Sequence, residues 1–442
     1  MDDRKRKTIS RFDDLASLGG NNNSFIDMLC VFLLAISPIL QFYRGPIANA
    51  GITVLVVLFP YMLLRLLLIL PTFRFKIMYE VIPPLIVFYL YKLFSHGGNF
   101  VVFAHVAIMI VYFIAIAAGC INVKYFIKIA SVVAVLATTF LTLQYFCFYI
   151  LGFHLQVAPT SLFHADSEQW VLLTKTGLIG ITGKPSGFYR PSAFFMEPSH
   201  VFIYFIPLLC IFLFAPDMKS WRLKMALLIT LGLFLSTSGM GICVSTGVWI
   251  LYLGFYRGKD NRFKISKLFK PRNITLVVTI SIFLVILYFN VPIFNKSINR
   301  ILGIDITGID AISGRVLEAL LLVKTLTGSV LWFGLPDSTS DIEFNLSGFF
   351  STLFQYGITG VLLSYLFYVK SLLKLKAQYF WLSIIIIIIS FFTAHTHGPF
   401  HSLYYVAILM NGYHVVTRKK NNHRQIALQH KRNLDERRLC FE

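Results

Sequence analysis

The sequence predicts an all-α fold, a polytopic integral membrane protein of about twelve transmembrane helices, and three observations carry that expectation. The 442 residues are 57% hydrophobic and only 14% charged. Their mean hydropathy is +0.72. Apolar runs near the roughly 20 residues that a helix needs to cross hydrocarbon recur along the whole chain. Charged residues make up about a quarter of a soluble chain, so this balance excludes an ordinary soluble enzyme. The 40 Lys and Arg exceed the 20 Asp and Glu, for a net charge of +20. A nucleic-acid binder needs a water-facing domain for its basic patch, so no nucleic-acid partner is expected. The excess should report orientation instead.

In order, the runs lie near 25–43, 47–70, 77–95, 100–120, 126–152, 197–215, 221–238, 240–256, 273–291, 346–369, 378–394 and 399–416. A polar segment precedes the first, and no small-residue cleavage site follows it, so a removable signal peptide is not expected. Arg65 lies about a turn from the end of the second run and can snorkel. In the third, Glu80 reads as a solvated end and Pro83 with Pro84 as a kink. Ser236, Ser238, Gly239 and Gly241 mark a tight turn inside the long apolar stretch 221–256. Cys30, Cys120, Cys147, Cys210 and Cys243 lie in apolar stretches without a CxxC pair, which suits packing and not a disulfide framework.

With the N-terminus in the cytoplasm and every run crossing, 30 of the 40 basic residues fall on the inner side. They cluster at Arg4–Arg11, Arg74–Lys76, Lys124–Lys128, Lys219–Lys224, Arg257–Arg272, Lys370–Lys376 and beyond Thr417. Short inner loops are where the positive-inside rule applies best. The expected organisation is one membrane domain over 1–442. It has a cytoplasmic N-terminus (1–24), outer loops at 153–196 and 292–345, and a basic cytoplasmic tail (417–442) suited to anionic lipid head groups.

The two long outer loops hold the chemistry. Loops of that length are functional or disordered, and aromatic and apolar clusters argue against disorder here. The first ends in Arg190-Pro191-Ser192-Ala193-Phe194-Phe195-Met196-Glu197-Pro198-Ser199-His200. Pro198 suits the first turn of the next helix. Glu197 and His200 then share a face. An Arg can grip phosphate bidentately, and a Glu or His can take a proton from a hydroxyl. By spacing alone, a capped helix start with interfacial aromatics is the favoured description of the segment.

The second loop holds Ser313-Gly314-Arg315-Val316-Leu317-Glu318, then an apolar stretch to Trp332-Phe333-Gly334. That stretch reads as a short interfacial or re-entrant helix on the outer face. Arg300 and Arg315 are candidate pyrophosphate ligands. The plainer reading is an Arg315–Glu318 surface pair. At the last outer turn, His395, His397 and His401 resemble a metal-ligand set. Gly398 and Pro399 break the helix between them, so turn-capping or substrate contact is expected and no metal. No Walker loop, GxGxxG, HExxH or GxSxG sequence is present, and no cofactor is indicated.

Taken together, these features resemble the bacterial O-antigen polymerase and ligase superfamily, which includes capsular polysaccharide polymerases. Arg190–His200 is similar to its R-x-S-x-F-F-x-E-P-S-H signature, and Leu235–Gly241 to its S-x-S-x-x-G turn. Ser313–Gly334 resembles its S-G-R … F-G loop. Asn345–Gly360, ending Tyr356-Gly357-Ile358-Thr359-Gly360, resembles the G-x-x-G segment where the family returns to the membrane. The resemblance covers roughly residues 185–360. Leu346 and Ser347 stand where many members, ligases above all, have a His-Asn pair. That departure favours a polymerase over a ligase.

The resemblance implies metal-independent glycosyl transfer at the outer face of a bacterial inner membrane, with both termini cytoplasmic. The donor would be a glycan on undecaprenyl pyrophosphate, and the acceptor the terminal hydroxyl of a new lipid-linked repeat unit. Arg190, Arg300, Arg315, Glu318 and Asn345 would bind pyrophosphate or glycan. Glu197 and His200 would be catalytic. Membrane lipid, a chain-length regulator and a flippase are the implied partners. A ligase, or a flippase or secondary transporter, remains the alternative.

Overall fold

The computed structural model describes residues 25–46, 49–69, 82–95, 100–155, 157, 162–163, 191–215, 220–255, 271–290, 295, 299, 318–324, 326–335, 347–375, 378–393 and 398–413. Among these the secondary structure is helical, apart from two isolated β-bridges. A helix lies in each of the twelve apolar runs: α1 (Phe25–Leu40), α2 (Ala50–Ile69), α3 (Pro83–Ser95), α4 (Phe100–Ala117), α5 (Val123–Tyr149), α6 (Pro198–Leu213), α7 (Ser220–Leu235), α8 (Gly239–Phe255) and α9 (Pro271–Asn290), then, after two short helices, α12 (Gly348–Lys374), α13 (Gln378–Ser390) and α14 (399–413). The short helices are α10 (Glu318–Val323) and α11 (Gly328–Phe333). Four helices, at 50–68, 100–117, 123–149 and 348–374, are long and apolar enough to cross a membrane. The chain is therefore a helical membrane protein.

Successive helices pack as neighbours, α1 on α2, α3 on α4, α7 on α8 and α12 on α13. One end gathers the 41–46 turn, Phe163, the start of α6 and the start of α14. The other holds an ion pair between Asp27 and Arg65 at 3.3 Å, with the Tyr61 hydroxyl donating to Asp27 at 2.5 Å. Arg65 is thus paired across α1 and α2 as well as placed to snorkel.

Helix α6 is buried on every side from His200 to Leu213, and α14 is buried from His401 to Met410. An apolar sequence all round is what such a central position requires. The two helices run side by side in the same direction: Tyr404 stacks on Tyr204 at 4.7 Å, and the Tyr404 and Tyr405 hydroxyls donate to the carbonyls of Tyr204 and Ile203 at 3.2 and 3.4 Å. The second bond repairs a defect. Pro207 has no N–H, so the Ile203 carbonyl lacks its helical partner, and a backbone group stranded in hydrocarbon is costly. Pro38 in α1 is handled alike, with the Ser37 hydroxyl donating to Leu34 O at 2.9 Å.

Three sequence expectations need adjusting. Pro83 and Pro84 open the described helix α3, where a missing N–H costs little, and residues 77–81 with Glu80 lie outside the described residues. Residues 315–331 do not form one helix. The chain breaks between α10 and α11, where Thr327 is extended and Gly328 has φ +57°. The first run ends as helix at Leu40, and residues 41–44 already belong to a turn. The 236–241 turn is where the serines and glycines placed it. Ser236 and Ser238 are buried, with Ser236 Oγ donating to Leu233 O at 2.8 Å and Gly241 N to Ser238 Oγ at 3.3 Å. Cys30, Cys120, Cys147 and Cys210 are buried free thiols, whereas Cys243 is exposed on α8.

Candidate functional site

Glu197 takes the N-cap position of α6 in extended conformation, and Pro198 takes the first helical position. The carboxylate does not cap the helix. It accepts from the Ser199 hydroxyl, and its Oε1 lies 3.8 Å from His200 Nε2. The two side chains differ in access: Glu197 is 16% exposed and His200 only 1%. What covers His200 is Phe42, stacked on the imidazole at 4.0 Å and 19°. Next to Phe42, Gln41 Nε2 lies 2.7 Å from Pro38 O, to which it donates, and 3.4 Å from His401 Nδ1 on the first turn of α14. The end of α1 therefore joins the starts of both central helices, through one histidine on each.

Part of the first long loop is fastened over this junction. Tyr43 pairs with Phe163 in an antiparallel bridge. Arg44 donates through its backbone N to Leu162 O and through Nε to Phe163 O, both at 2.7 Å. The Tyr43 hydroxyl donates to Phe194 O at 2.5 Å, and burial pushes its phenol up to about 12. Phe42, Phe163 and Met196 form a small apolar cluster beneath these bonds. The buried Gln144 amide of α5 ties both ends of the loop: Nε2 donates to Leu155 O at 3.1 Å, and Oε1 accepts from Ala193 N at 2.8 Å. Ala193 holds φ +50°, a left-handed conformation that alanine avoids. The strain is local to the segment that presents Glu197.

The second long loop reaches the bundle at another place. Helix α12 is broken at Gly357 (φ 63°, ψ −170°), and α11 ends at Gly334 with φ +83°. The two glycines let the backbones touch. A Cβ on Gly357 would lie 2.3 Å from Trp332 C, and one on Gly334 2.3 Å from Gln355 O. Leu335 N donates to Phe354 O at 2.8 Å, while the Tyr91 hydroxyl of α3 lies 2.9 Å from Phe333 O and 3.2 Å from Tyr356 O.

Of the residues singled out by sequence, Glu197 and His200 stand together, and His401 joins them through Gln41 and Phe42. Glu318 is the first residue of α10. Arg190, Arg300, Arg315, Asn345, His395 and His397 lie outside the described residues. Sequence reasoning missed Phe42, Tyr43, Arg44 and Gln144. Arg44 and Gln144 did leave a signal: a cation in a turn of few residues, and an amide inside an apolar run. Compared with protein-family models and with curated proteins, the chain matches none.

Proposed function

We propose that the chain is a polyprenyl-diphosphate-dependent glycosyltransferase. It joins undecaprenyl-pyrophosphate-linked repeat units into a surface polysaccharide at the outer face of a bacterial inner membrane. All twelve apolar helices would cross, with both termini in the cytoplasm and the 41–46 turn, the loop ends and the starts of α6 and α14 outside. The observation that carries the reading is the fastening of the first long loop over Glu197, which leaves a reachable carboxylate at the rim of a buried bundle. In the transfer, the acceptor hydroxyl oxygen bonds to the donor's anomeric carbon. The bond from that carbon to diphosphate breaks, and the lipid diphosphate leaves with the electron pair. The hydroxyl proton passes to Glu197. His200, buried behind Phe42, positions that carboxylate. Arg190, Arg300 and Arg315, joined by Arg44, would neutralise the departing diphosphate, a task for which guanidinium groups suffice.

A second reading, a lipid-linked oligosaccharide flippase or secondary transporter, draws on the break at Gly357, since discontinuous helices mark transporter binding sites. Deletion of the gene, with sizing of surface glycan and carrier-linked intermediates, separates the readings. Single repeat units on the final acceptor support the polymerase. Long chains stranded on the carrier indicate a ligase, and repeat units held at the inner leaflet a flippase. Unchanged glycan in a strain carrying Glu197→Gln, with the protein inserted at normal level, would refute the role given to Glu197.

A further inference from the structure

Gln41 is the residue through which α1 meets α14, and the chemistry of that contact is one-sided. Its Nε2 donates to Pro38 O at 2.7 Å. A carbonyl can only accept, so the amide presents its nitrogen here and not its oxygen. The same nitrogen lies 3.4 Å from His401 Nδ1. An amide nitrogen has no lone pair to offer, so the two atoms form a hydrogen bond only while His401 Nδ1 carries no proton and accepts. An imidazolium has N–H on both nitrogens, and the contact then sets donor against donor. The junction around Gln41 is close packed. Its own N–H donates to Ser37 O at 3.1 Å. A Cβ on Gly51, at the start of α2, would lie 2.8 Å from the Phe400 ring and 3.0 Å from Gln41 Cα. Phe42 follows directly and covers His200 at 4.0 Å, so a shift of Gln41 is a shift of the cover.

We propose that His401 is the positioning residue that latches this cover: uncharged, it anchors Gln41 and keeps Phe42 on His200, and protonated in acid it releases the end of α1 so that the cover lifts. The latch regulates the site that holds Glu197, and its consequence for glycan transfer rests on the polymerase reading, whereas the latch itself does not. The titratable and charged groups around His401 come from several elements. Tyr405 of α14 has its ring centre 6.4 Å away. Tyr89 of α3 and Tyr368 of α12 reach Ser402, the next residue. Glu197 and His200 of α6 lie beyond Phe42, and Tyr43 and Arg44 follow it on the turn. Carboxylates and imidazoles are the side-chain types here that change charge in mild acid, so His401 has to be separated from Glu197 and His200.

The test uses the full-length protein in phosphatidylcholine nanodiscs with a cysteine reporter under the cover. Met196 is buried in one cluster with Phe42 and Phe163, so Met196→Cys is the first reporter, and Phe163→Cys is the second should the first not fold. The probe is a water-soluble methanethiosulfonate. Its labelling of the reporter is read by peptide mass spectrometry and divided by its rate on a free thiol peptide at the same pH. From about pH 8 to about pH 5, the range in which an imidazole charges, this ratio should rise about fivefold or more, the population shift that one lost hydrogen bond allows. In the same reporter protein His401→Asn, whose Oδ1 accepts at any pH, should keep the slow rate throughout. Gln41→Leu, which cannot donate, should label fast at both ends. A ratio that does not change with pH while His401 is intact overturns the proposal. So does an equal rise in His401→Asn, which would assign the change to Glu197 or His200. The labelling contains no glycan. A working latch in a protein whose Glu197→Gln variant makes normal glycan would sink the polymerase reading alone, and lost glycan in Glu197→Gln without any latch response would sink the latch alone.

Discussion

Replacing Gly357 by alanine should loosen the α11–α12 crossing, and the size of the effect follows from the geometry. At φ 63° and ψ −170° the backbone occupies a region reserved for glycine, and alanine held there costs about 1–3 kcal/mol. The new Cβ would also lie 2.3, 2.4 and 2.5 Å from Trp332 C, Trp332 O and Phe333 N. These are backbone atoms, so no side-chain rotation relieves the overlap. Helix α11 must move away, which breaks the 2.8 Å bond from Leu335 N to Phe354 O, worth about 1 kcal/mol. The expected loss is about 2–4 kcal/mol. Gly334→Ala pushes the same two backbones apart. The double variant should therefore cost little more than the worse single one, as neighbours sharing a contact do. Gly247→Ala is the control: its Cβ meets nothing within 4 Å on helix α8, and alanine there should be neutral or stabilising by up to about 1 kcal/mol. Thermal melting in detergent, followed by circular dichroism, measures all four. The reasoning fails if Gly357→Ala melts with the wild type, or if the two single losses add in full.

Gln144→Leu should free both ends of the first long loop and leave the Ala193 N–H buried without its acceptor, at about 1–3 kcal/mol; limited proteolysis within 156–190 should quicken, and an unchanged rate refutes the clamp. The Tyr43 phenol is raised by burial from its ordinary value near 10 to about 12. The stability it lends is therefore complete below pH 10 and lost as pH rises through about 12. The wild-type loop should gain protease sensitivity in that window, and Tyr43→Phe should flatten the change. Arg65→Met leaves Asp27 without its ion partner and should lower the melting temperature, with Asp27→Asn in the same chain restoring part of the loss. A double variant no better than Arg65→Met would show that the pair is not coupled.

The helices were legible because hydrocarbon imposes a simple rule, a run of apolar residues for each helix, and the Ser236–Gly241 turn was legible because small and polar residues interrupt one. The start of α6 was legible too, since Glu197, Pro198 and His200 define a local geometry that depends on three dihedral pairs. What surrounds it was not. Phe42 covers His200 from 158 positions upstream, and Gln41 meets His401 across 360 positions. No local pattern encodes partners at such separations. The break in α12 was half legible. Gly357 stood in the G-x-x-G segment, but only the approach of Trp332 and Phe333 explains why a glycine is needed there.

The placement of the polar groups follows from the burial of the two central helices. A helix enclosed from His200 to Leu213 has no water-facing side on which to carry charge. Its chemistry can stand only at its ends, and the N-terminal end is the one that favours a carboxylate. Helix α14 runs in the same direction and brings its own first-turn histidine, His401, to the same level. The Tyr405 and Ser37 bonds that repair Pro207 and Pro38 serve this arrangement. They let prolines sit inside α6 and α1 without exposing carbonyls to hydrocarbon, so the bundle stays closed beneath the loop. On this view Glu197 is held by the whole core through one helix, and that helix is built for fixed geometry.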